Sequence, residues 1–466
     1  MAMDAPDGAE VGLPGQKGGA ERRGEQWESE AARLFARGSV TRSADVIVVG
    51  AGPAGASTAA FLARAGLDVL VLDRARFPRD KPCAECLSPQ ASRLLDELGV
   101  LAAVERSGPA HLDGVAVRSP DGTWLFGSYG APLNRRHRPY RPRSLAVRRE
   151  VLDQILLNAA RFSGAAVLEG ARVTDVLYDG TTRVAGVRAM LRDGSMVELR
   201  SRLVVAADGL RSTIARRVGL AHVSRFPKRI SLVAHYRGVE DVGSYGEMHV
   251  ERDGFVGVAD VGGGITTVAM VVPARRARAM AGDSAGFLDR WIASHKHLAP
   301  RFEHAERIGD VVATGPFASQ ARKAWAPGVA LVGDAADFFD PFTGEGIYAA
   351  LRGGEMLSQY VIDALRAMSA SRANRALHAY DLARRREFSG KWRIEKVIGA
   401  VVGAAPLMNR AARALATKRD LADLLVGVTG DFVPARAVLN ARYVGSLLRH
   451  ALFAPRVPPS VRPLVP

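Results

Sequence analysis

The stretch that decides the fold runs from residue 45 to residue 73 and reads DVIVVGAGPAGASTAAFLARAGLDVLVLD. It opens with a short run rich in β-branched residues at 46–49, which is typical of a strand buried in a parallel sheet. Glycines follow at once, then a helical segment at 54–65, and then a second apolar strand that ends in Asp73. The succession of strand, turn, helix, strand and acid predicts a unit that binds a dinucleotide.

The three glycines of this turn have different mechanical roles. Gly50 permits the tight turn after the strand, Gly52 lets the backbone approach a pyrophosphate, and Gly55 lets the helix pack closely on the strand. The start of the helix offers free N–H groups and the positive end of the helix dipole to the phosphates. Asp73 is placed to accept hydrogen bonds from ribose hydroxyls.

Composition sets the outer limits of the interpretation. The chain has 466 residues, of which 48% are hydrophobic, enough for two or three domains or one large elaborated fold. A net charge of +16 in general favours nucleic acid, anionic membranes or anionic substrates. Much of the excess is arginine in a chain rich in alanine and glycine, so we interpret it as compositional bias and expect no nucleic-acid partner. The two cysteines, Cys83 and Cys86, make no disulfide framework, which suits a reducing cytoplasm.

The first 44 residues are rich in Gly, Glu and Arg and lack the apolar core of a signal peptide, so we expect a disordered extension there. No run of about 18 apolar residues occurs in the sequence, and therefore no membrane-spanning helix is expected. The longest candidate, at 397–408, is too short and contains Pro406.

Two kinds of strand pattern alternate along the rest of the chain. Apolar runs at 203–207 and 328–333 have the character of the first strand and predict further buried strands. Alternating patterns with turn glycines at 229–273 predict an antiparallel sheet inserted between them. We also expect strands at 173–178, 184–191 and 196–199, helices at 90–104 and 150–161, and a mostly helical region from 349 to about 450.

Three further segments complete a constellation with the glycine turn and its acid. The first, Arg149-Glu150-Val151-Leu152-Asp153, places a basic residue at the start of a helix, and the second is a strand that ends in Asp208-Gly209. The third reads GDAADFFDPFTGEGI at 333–347. Its Asp334 follows a strand at the edge where α/β proteins bind ligands. The loop then enters a helix whose N–H groups can face an electron-rich ring or a phosphate.

Together these four segments resemble the FAD-binding signature of the flavoprotein hydroxylase superfamily. Within that superfamily, the sequence FPRDKPC at 77–83, the sequence LSP at 87–89 and the 333–347 loop are similar to the geranylgeranyl reductase branch. The resemblance covers about residues 45–390 and is specific for FAD.

The resemblance implies a role for each segment. The glycine turn would meet the pyrophosphate, Asp73 the ribose, Arg149 the phosphate or ribitol region and Asp334 the ribityl hydroxyls, while the late loop would lie under the isoalloxazine. The flavin carries the chemistry, so no catalytic side chain is assigned, and the candidates near the flavin are Lys81, Cys83 and Pro341. The implied FAD contacts are Gly50, Gly52, Ala54, Gly55, Asp73, Arg74, Arg149, Asp208, Gly209, Gly333, Asp334, Pro341, Gly344, Glu345, Gly346 and Ile347.

One motif departs from the branch. Where the branch usually reads Cys-Gly-x-Gly-Leu, this chain reads Cys83-Ala84-Glu85-Cys86-Leu87, so two positions of close backbone approach are lost. The change also creates a Cys-x-x-Cys pair, for which a redox-active dithiol is one interpretation. We favour a buried pair of inert thiols, because no thioredoxin-type strand precedes it.

The resemblance also implies the architecture. We expect an α/β fold with a Rossmann-like FAD-binding domain, an inserted antiparallel β-sheet substrate domain and a C-terminal helical region. The expected divisions are an N-terminal extension at 1–44, the FAD-binding domain at 45–110, 145–225 and 311–370, the substrate domain at 111–144 and 226–310, and the helical region at 371–466.

The activity implied first is an FAD-dependent oxidoreductase that reduces C=C bonds of an isoprenoid, lipid-like or related apolar small molecule by hydride transfer from reduced flavin. NAD(P)H or ferredoxin would be the electron donor. An NAD(P)H-dependent monooxygenase of an aromatic or polyketide metabolite is the alternative. A flavin halogenase ranks third, because the Trp-x-Trp-x-Ile-Pro motif of that family is absent. The ten histidines show no metal-ligand spacing, so no metal is expected.

Two charged regions each allow two interpretations, one concerning the substrate entrance and the other the location of the protein. Residues 134–143 carry five arginines and fit either a solvated loop or an anion site at a substrate entrance. We expect a cytoplasmic protein, with peripheral contact at the inner face of the membrane as a second location. Apolar segments at 397–408 and 421–428, flanked by basic residues, would suit that contact, whereas packing on the core is the competing interpretation.

Overall fold

The structure is a computed structural model, and it describes residues 42–131, 133, 137–180, 182–222, 228–280, 282–317, 319–338 and 341–453. The expected N-terminal extension therefore lies outside the described residues, except that residues 42–44 already belong to the first strand.

Strands and helices alternate through the first three quarters of the chain, and helices dominate the last quarter. The strands are β1 Arg42–Val49, β2 Val69–Asp73, β3 Cys86–Leu87, β4 Ala110–Leu112, β5 Gly114–Arg118, β6 Trp124–Ser128, β7 Ser144–Ala146, β8 Ala166–Glu169, β9 Arg172–Asp179, β10 Arg183–Met190, β11 Met196–Ala206, β12 Arg229–Arg237, β13 Tyr245–Glu251, β14 Gly254–Asp260, β15 Ile265–Pro273, β16 Glu306–Thr314, β17 Ser319–Gln320, β18 Trp325–Ala326, β19 Val329–Leu331 and β20 Asp337–Phe338. The helices are α1 Pro53–Arg64, α2 Ala91–Glu97, α3 Leu101–Arg106, α4 Arg149–Phe162, α5 Thr213–Arg217, α6 Ala277–Met280, α7 Ser284–Ser294, α8 Gly346–Arg366, α9 Ala370–Val402, α10 Ala405–Thr417, α11 Arg419–Thr429 and α12 Ala441–Phe453.

The predicted parallel layer is present and is built around β1. In this sheet the strand order is β18-β19-β11-β1-β2-β8, and the four adjacent pairs from β19 to β8 are parallel. Its central residues are apolar and fully buried because helices cover both faces of a parallel sheet. Val49, Ala206 and Leu331 are in register at one edge, so the segments that follow three adjacent strands meet there.

The separate strands expected at 196–199 and 203–207 are one continuous strand, β11. Its first half pairs antiparallel with β10, and its second half pairs parallel with both β1 and β19. The polar residues at 200–202 suggested a break, but Ser201 is buried where β11 passes between two groups of partners. Hydrogen bonding to neighbouring strands on both sides keeps β11 extended, and the local sequence does not predict these neighbours.

The inserted sheet has seven strands in the order β16-β12-β15-β14-β13-β5-β6. It is antiparallel as predicted, except that β13 and β5 run parallel. One face packs against α7 around Leu232, Val268 and Leu288. The opposite face packs against the C-terminal helices and the loops that follow the parallel sheet. The α/β architecture with an inserted sheet and a helical C-terminal region is thereby confirmed.

One helical expectation needs correction, and for a second segment the structure favours one of two interpretations. The helix expected at 90–104 is two helices, α2 and α3, because Gly99 adopts φ +72° and ends the first of them. The segment at 421–428, for which membrane contact and packing on the core are the two interpretations, packs against β6, where a Cβ on Gly127 would lie 2.4 Å from Val426 Cγ2. Leu421 and Val428 are buried there, so packing on the core accounts for this segment. Across the described residues, no helix is long and apolar enough to cross a membrane.

Candidate active site

The glycine turn between β1 and α1 is the first wall of the site. Gly50 has φ +100°, and a Cβ there would lie 2.4 Å from the carbonyl oxygen of Ala207. A Cβ on Gly55 would lie 1.8 Å from the carbonyl oxygen of Gly50, so α1 packs directly on the turn. A Cβ on Gly52, in contrast, would meet no atom closer than 3.7 Å. Gly50 and Gly55 are therefore required by packing, whereas Gly52 borders open space.

That open space faces two guanidinium groups. The nearest atoms to a Cβ on Gly52 would be Nη2 of Arg79 at 3.7 Å and Nη2 of Arg149 at 3.9 Å. Arg149 is buried, and its Nε and Nη2 donate to the two carboxylate oxygens of Asp153 at 2.8 and 2.7 Å. Arg79 Nη1 lies 2.8 Å from the same carboxylate. Two cations thus share one anion, which leaves one positive charge for a diphosphate at the start of α1.

The acid at the end of β2 supports the turn. Asp73 is buried; its Oδ2 accepts from the backbone N–H of Ala51 at 2.7 Å and its Oδ1 from that of Ala75 at 2.8 Å. A carboxylate has further lone pairs, so these bonds leave capacity for a ribose hydroxyl. The neighbouring Arg74 is exposed.

The segments after β11 and β19 meet the turn from the other side. Gly333 packs against α1, since a Cβ on it would lie 2.8 Å from Ala54 Cβ. Lys81 Nζ lies 4.0 Å from Asp334 Oδ2 and would lie 3.7 Å from a Cβ on Gly209. Burial lowers the pKa of Lys81 from its ordinary value, an effect that the Asp334 charge opposes. The structure therefore brings together the four segments that the sequence analysis singled out.

Asp208 has one satisfied and one unsatisfied carboxylate oxygen. Its Oδ2 accepts from the backbone N–H of Thr213 at 2.6 Å, at the start of α5, while its Oδ1 is buried with no hydrogen-bond partner among the described residues. Burial raises the pKa of this carboxyl group. An orphaned buried oxygen beside an open glycine turn fits a dinucleotide that presents hydroxyl groups.

The late loop leads from the parallel sheet into α8. Pro341–Thr343 forms one turn of 3₁₀ helix, and Gly344 adopts φ +70°, where a Cβ would have no atom within 4 Å. Gly346 begins α8, a helix of 21 residues. The N–H groups of its first turn have no partner within the helix and can face a flavin ring. Ile347 is buried in the core, and the side chain of Glu345 points into a separate buried cluster with Lys391. Asp340 lies outside the described residues.

Two aromatic side chains of this loop pack against aromatic side chains from other parts of the chain. The rings of Phe342 and Phe255 are 5.0 Å apart, and those of Phe338 and Phe317 are 5.1 Å apart. All four belong to the apolar cluster that joins the inserted sheet to the C-terminal helices. The late loop therefore borders an apolar wall. Phe255 and Phe317 lie outside the loop, Phe255 being 87 positions from Phe342, and no local sequence pattern marks these two residues.

Glu85 is a site residue that sequence reasoning missed. It is buried with φ +62°, its Oε1 accepts from the backbone N–H of Arg149 at 2.8 Å, and its Oε2 lies 2.8 Å from Nε2 of His235. Burial alone would lower the pKa of His235, but the Glu85 hydrogen bond and charge raise it. This pair joins the start of α4 to the inserted sheet. The sequence feature that could have indicated this role is an acidic residue inside the Cys83–Leu87 motif, where the chain differs from the geranylgeranyl reductase branch.

The two cysteines are not paired with each other. Cys86 lies in β3 opposite Ala146, and burial, together with the charges of Cys83 and Glu85, raises its pKa to about 12. Cys86 is therefore a neutral thiol at physiological pH, whereas a redox-active dithiol requires an accessible thiolate. This environment favours the interpretation of inert thiols.

The described part of the arginine-rich loop is largely neutralised. Arg143 Nε lies 2.6 Å from Asp113 Oδ1, and Arg141 contacts Glu105. Residues 134–136 lie outside the described residues. For 137–143, ion pairing favours a solvated loop over an anion site.

No group of three or more His, Cys, Asp or Glu side chains is arranged to hold a metal ion anywhere among the residues that the structure describes.

Comparison with known proteins agrees with this geometry. The family described as FAD binding domain matches residues 43–389. A menaquinone reductase from Mycobacterium tuberculosis is 42% identical over 188 residues, a match that covers 39% of this chain and 41% of the relative. A digeranylgeranylglycerophospholipid reductase 1 from Methanopyrus kandleri is 30% identical over 334 residues, covering 69% of this chain and 81% of the relative.

Among solved structures, a geranylgeranyl bacteriochlorophyll reductase-like protein from Thermoplasma acidophilum has a similar fold. Its TM-score is 0.65 at 22% identity, and the match covers 89% of this chain and 97% of that one. At this identity the likeness concerns the fold alone. The family assignment rests instead on the family match across most of the chain and on the Methanopyrus kandleri relative. This chain belongs to the FAD binding domain family and to the geranylgeranyl reductase family.

Proposed function

We propose that Gly52, Arg79 and Arg149 hold the pyrophosphate of FAD, that Asp73 and Asp208 bind hydroxyl groups of the cofactor, and that Asp334 binds the ribityl chain. The backbone of the Gly344–Ile347 loop would then lie against the isoalloxazine. The shared positive charge of Arg79 and Arg149 and the orphaned oxygen of Asp208 support this arrangement. On this proposal, the parallel sheet with its loops is the FAD-binding domain, and the seven-stranded sheet is the substrate domain.

The reaction that we propose is reduction of a C=C bond in an isoprenoid or other lipid-like apolar molecule. Bound reduced FAD supplies a hydride, and NAD(P)H or ferredoxin supplies the electrons. The observation that carries the proposal is the apolar aromatic wall formed by Phe255 and Phe342 beside the late loop. This packing gives the late loop an apolar backing, which would keep water away from the reacting carbons. The relatives' names, menaquinone reductase and digeranylgeranylglycerophospholipid reductase, support the same substrate class.

The test is anaerobic reduction of the purified yellow protein with NADPH, NADH and reduced ferredoxin in parallel, followed by addition of menaquinone or a digeranylgeranyl lipid. We expect one donor to bleach the flavin and one lipid to restore its colour, with a product two hydrogen atoms heavier and no need for oxygen. A product that forms only in air and contains one added oxygen atom would instead establish a monooxygenase.

We further propose that the protein is cytoplasmic and collects its substrate at the inner face of the membrane through α12. This helix exposes Val444, Leu448 and Leu452 at successive four-residue intervals, and these residues are 43, 58 and 73% exposed. Arg442 and Arg449 are exposed beside this stripe. An apolar stripe flanked by arginines suits the surface of an anionic bilayer.

A vesicle flotation assay tests this location. We expect the full-length protein to float with anionic vesicles at low salt and to be released at high salt, since each well-placed cation contributes about 1 kcal/mol. The double variant Leu448→Ser/Leu452→Ser should bind much more weakly. Met368→Ser, which changes the 90% exposed residue between α8 and α9, is the matched control and should float like the wild type. Full-length protein that stays with the soluble fraction at low salt contradicts the membrane role of α12.

A further inference from the structure

Glu85 lies between the loops of the parallel sheet and the inserted sheet, and its side chain is bonded to both. Its carboxyl group is fully buried. Oε1 accepts from the backbone N–H of Arg149 at 2.8 Å, and Oε2 lies 2.8 Å from Nε2 of His235. The first bond reaches the start of α4 and the second reaches β12. One side chain thus connects a residue of the proposed pyrophosphate site to the inserted sheet.

The bond to α4 holds the residue whose guanidinium group borders the open space at Gly52. Arg149 is the first residue of α4, where backbone N–H groups lack partners inside the helix, and the N-cap residue supplies no side-chain bond. Glu85 supplies an acceptor from another part of the chain. Because this bond fixes the backbone of Arg149, it also limits where the guanidinium group points. That group would lie 3.9 Å from a Cβ on Gly52.

The backbone of Glu85 is held as firmly as its side chain. Its carbonyl oxygen accepts from the N–H of Val147 at 3.1 Å, and β3, which follows directly, pairs with β7. Glu85 has φ +62°, a left-handed conformation that residues other than glycine rarely adopt. Residues held in such conformations are concentrated at functional sites, where the surrounding bonds keep them in place. The conformation of Glu85 therefore points to a role beyond filling space.

His235 belongs to the face of β12 that is turned towards Glu85. Leu232, Ala234 and Tyr236 of the same strand pack under α7 on the opposite face, and side chains alternate between the two faces of a strand. His235 is 5% exposed, and β12 is bonded to β15 on one side and to β16 on the other. His235 is thus fixed in the interior of the sheet, so the sheet and the start of α4 are linked through Glu85.

We propose that Glu85 and His235 are positioning residues for the cofactor, an inference that rests on the proposed function. They hold Arg149 in place for the pyrophosphate and couple FAD binding to the attachment of the inserted sheet. FAD bound to Arg149 fixes the start of α4, which favours the bond between Glu85 and His235. Coupling between two equilibria is reciprocal, so loss of that bond weakens FAD by the same factor. His235 therefore acts on FAD through Glu85 rather than by contact.

A purely structural role of the pair makes a different prediction. If the pair only joins the two sheets, its loss lowers stability equally with and without FAD, and the FAD dissociation constant stays unchanged. If the pair positions Arg149, its loss also weakens FAD, so bound FAD adds less stability to the variant than to the wild type. The two roles are separated by measuring FAD affinity and stability on the same variants.

Two variants at each position of the pair provide the test. His235→Ala removes the bond to Glu85 without changing any residue that we assign to FAD. His235→Gln should restore this bond, because an amide N–H can replace the N–H of the ring. Glu85→Ala leaves the backbone N–H of Arg149 without an acceptor, whereas Glu85→Gln keeps one oxygen for it and should have the milder effect.

His249→Ala is the matched control. His249 is also buried in the inserted sheet, at 1% exposure, and its Nε2 lies 2.9 Å from Oε2 of Glu247. Both residues belong to β13, so this pair has the same chemistry without a link to α4. The control variant should lose stability, as buried residues do when they are truncated, and should keep the FAD affinity of the wild type.

The first measurement is titration of the full-length apoprotein of each variant with FAD, followed by flavin fluorescence. We expect the dissociation constant to rise about tenfold in His235→Ala and about 10- to 100-fold in Glu85→Ala, since a hydrogen bond to a charged group contributes that much. His235→Gln should lie close to the wild type. An equal rise in His249→Ala would trace the effect to general destabilisation and overturn the proposal.

The second measurement is urea unfolding of the same full-length proteins with and without excess FAD. FAD should raise the unfolding midpoint of the wild type and of His249→Ala by the same amount, and that of His235→Ala by less, because stabilisation by a ligand falls as its dissociation constant rises. Unchanged FAD affinity in His235→Ala, with an unchanged gain in midpoint, overturns the proposal. His235→Ala and Glu85→Gln keep the test decisive if Glu85→Ala does not fold.

Arg149→Met distinguishes failure of this inference from failure of the proposed function. Asp153 retains its ion pair with Arg79 in this variant, which loses a cation that we assign to the pyrophosphate. If Arg149→Met binds FAD like the wild type, the pyrophosphate assignment is wrong and the positioning role falls with it. If Arg149→Met loses FAD while His235→Ala keeps it, only the positioning role is wrong.

Discussion

Gly52→Val is expected to abolish FAD binding while leaving the protein folded. The structure leaves room for the new Cβ, whose nearest neighbours would be the guanidinium groups of Arg79 and Arg149 at 3.7 and 3.9 Å. The valine methyl groups would then occupy the space that we assign to the pyrophosphate. Each hydrogen bond to a charged group is worth about 1.5–3 kcal/mol, so loss of two weakens FAD by about two to four decades in dissociation constant. Flavin absorbance after gel filtration and titration of the apoprotein with FAD measure the effect.

Gly55→Ala is the comparison variant, because it should prevent folding whereas Gly52→Val should prevent only FAD binding. Its Cβ would lie 1.8 Å from the carbonyl oxygen of Gly50, a distance that no side chain can tolerate. We therefore expect Gly55→Ala to fail at folding, with loss of soluble protein, whereas Gly52→Val should keep the far-ultraviolet circular dichroism of the wild type. Stoichiometric FAD in purified Gly52→Val would show that the pyrophosphate lies elsewhere.

Lys391→Met is expected to cause the largest loss of stability among conservative single changes in the C-terminal helices. The methionine fills a similar volume but leaves the buried carboxyl groups of Glu345 and Asp431, both of which Lys391 contacts, without their shared cation. Removal of one partner from a buried ion pair costs about 3–5 kcal/mol, because the remaining charge is uncompensated. Urea unfolding followed by circular dichroism should show a lower midpoint for the variant.

Rescue of this variant tests the cause of the loss. The triple variant Lys391→Met/Glu345→Gln/Asp431→Asn contains no buried charge at the cluster and should recover most of the lost stability, since replacement of a whole buried ion pair is often neutral. If the triple variant were as unstable as Lys391→Met alone, packing of the lysine chain rather than charge balance would explain the effect.

Much of the parallel layer was determined by the sequence itself. Short apolar runs, glycines at fixed spacing and an acid after the second strand are local features, and each depends on residues close to one another along the chain. For this reason the sequence pattern predicts the strand core at 46–49, the turn at Gly50, the helix from residue 54 and the strand ending at Asp73, and the structure has all four, with the first strand starting at Arg42 and the helix at Pro53. Three of the four segments that we propose to bind FAD could also be anticipated, because they follow strands whose ends lie in register.

Only the tertiary structure decided how distant charges and rings combine. Arg79 reaches Asp153 from a loop 74 positions away, His235 meets Glu85 across 150 positions, and Lys391 joins Glu345 and Asp431. Local periodicity carries no information about such pairs, since packing of the two sheets and the C-terminal helices sets these distances. The same reason explains the single long strand β11 and the buried segment at 421–428. Their neighbours in space, rather than their own sequences, fix their conformation and burial.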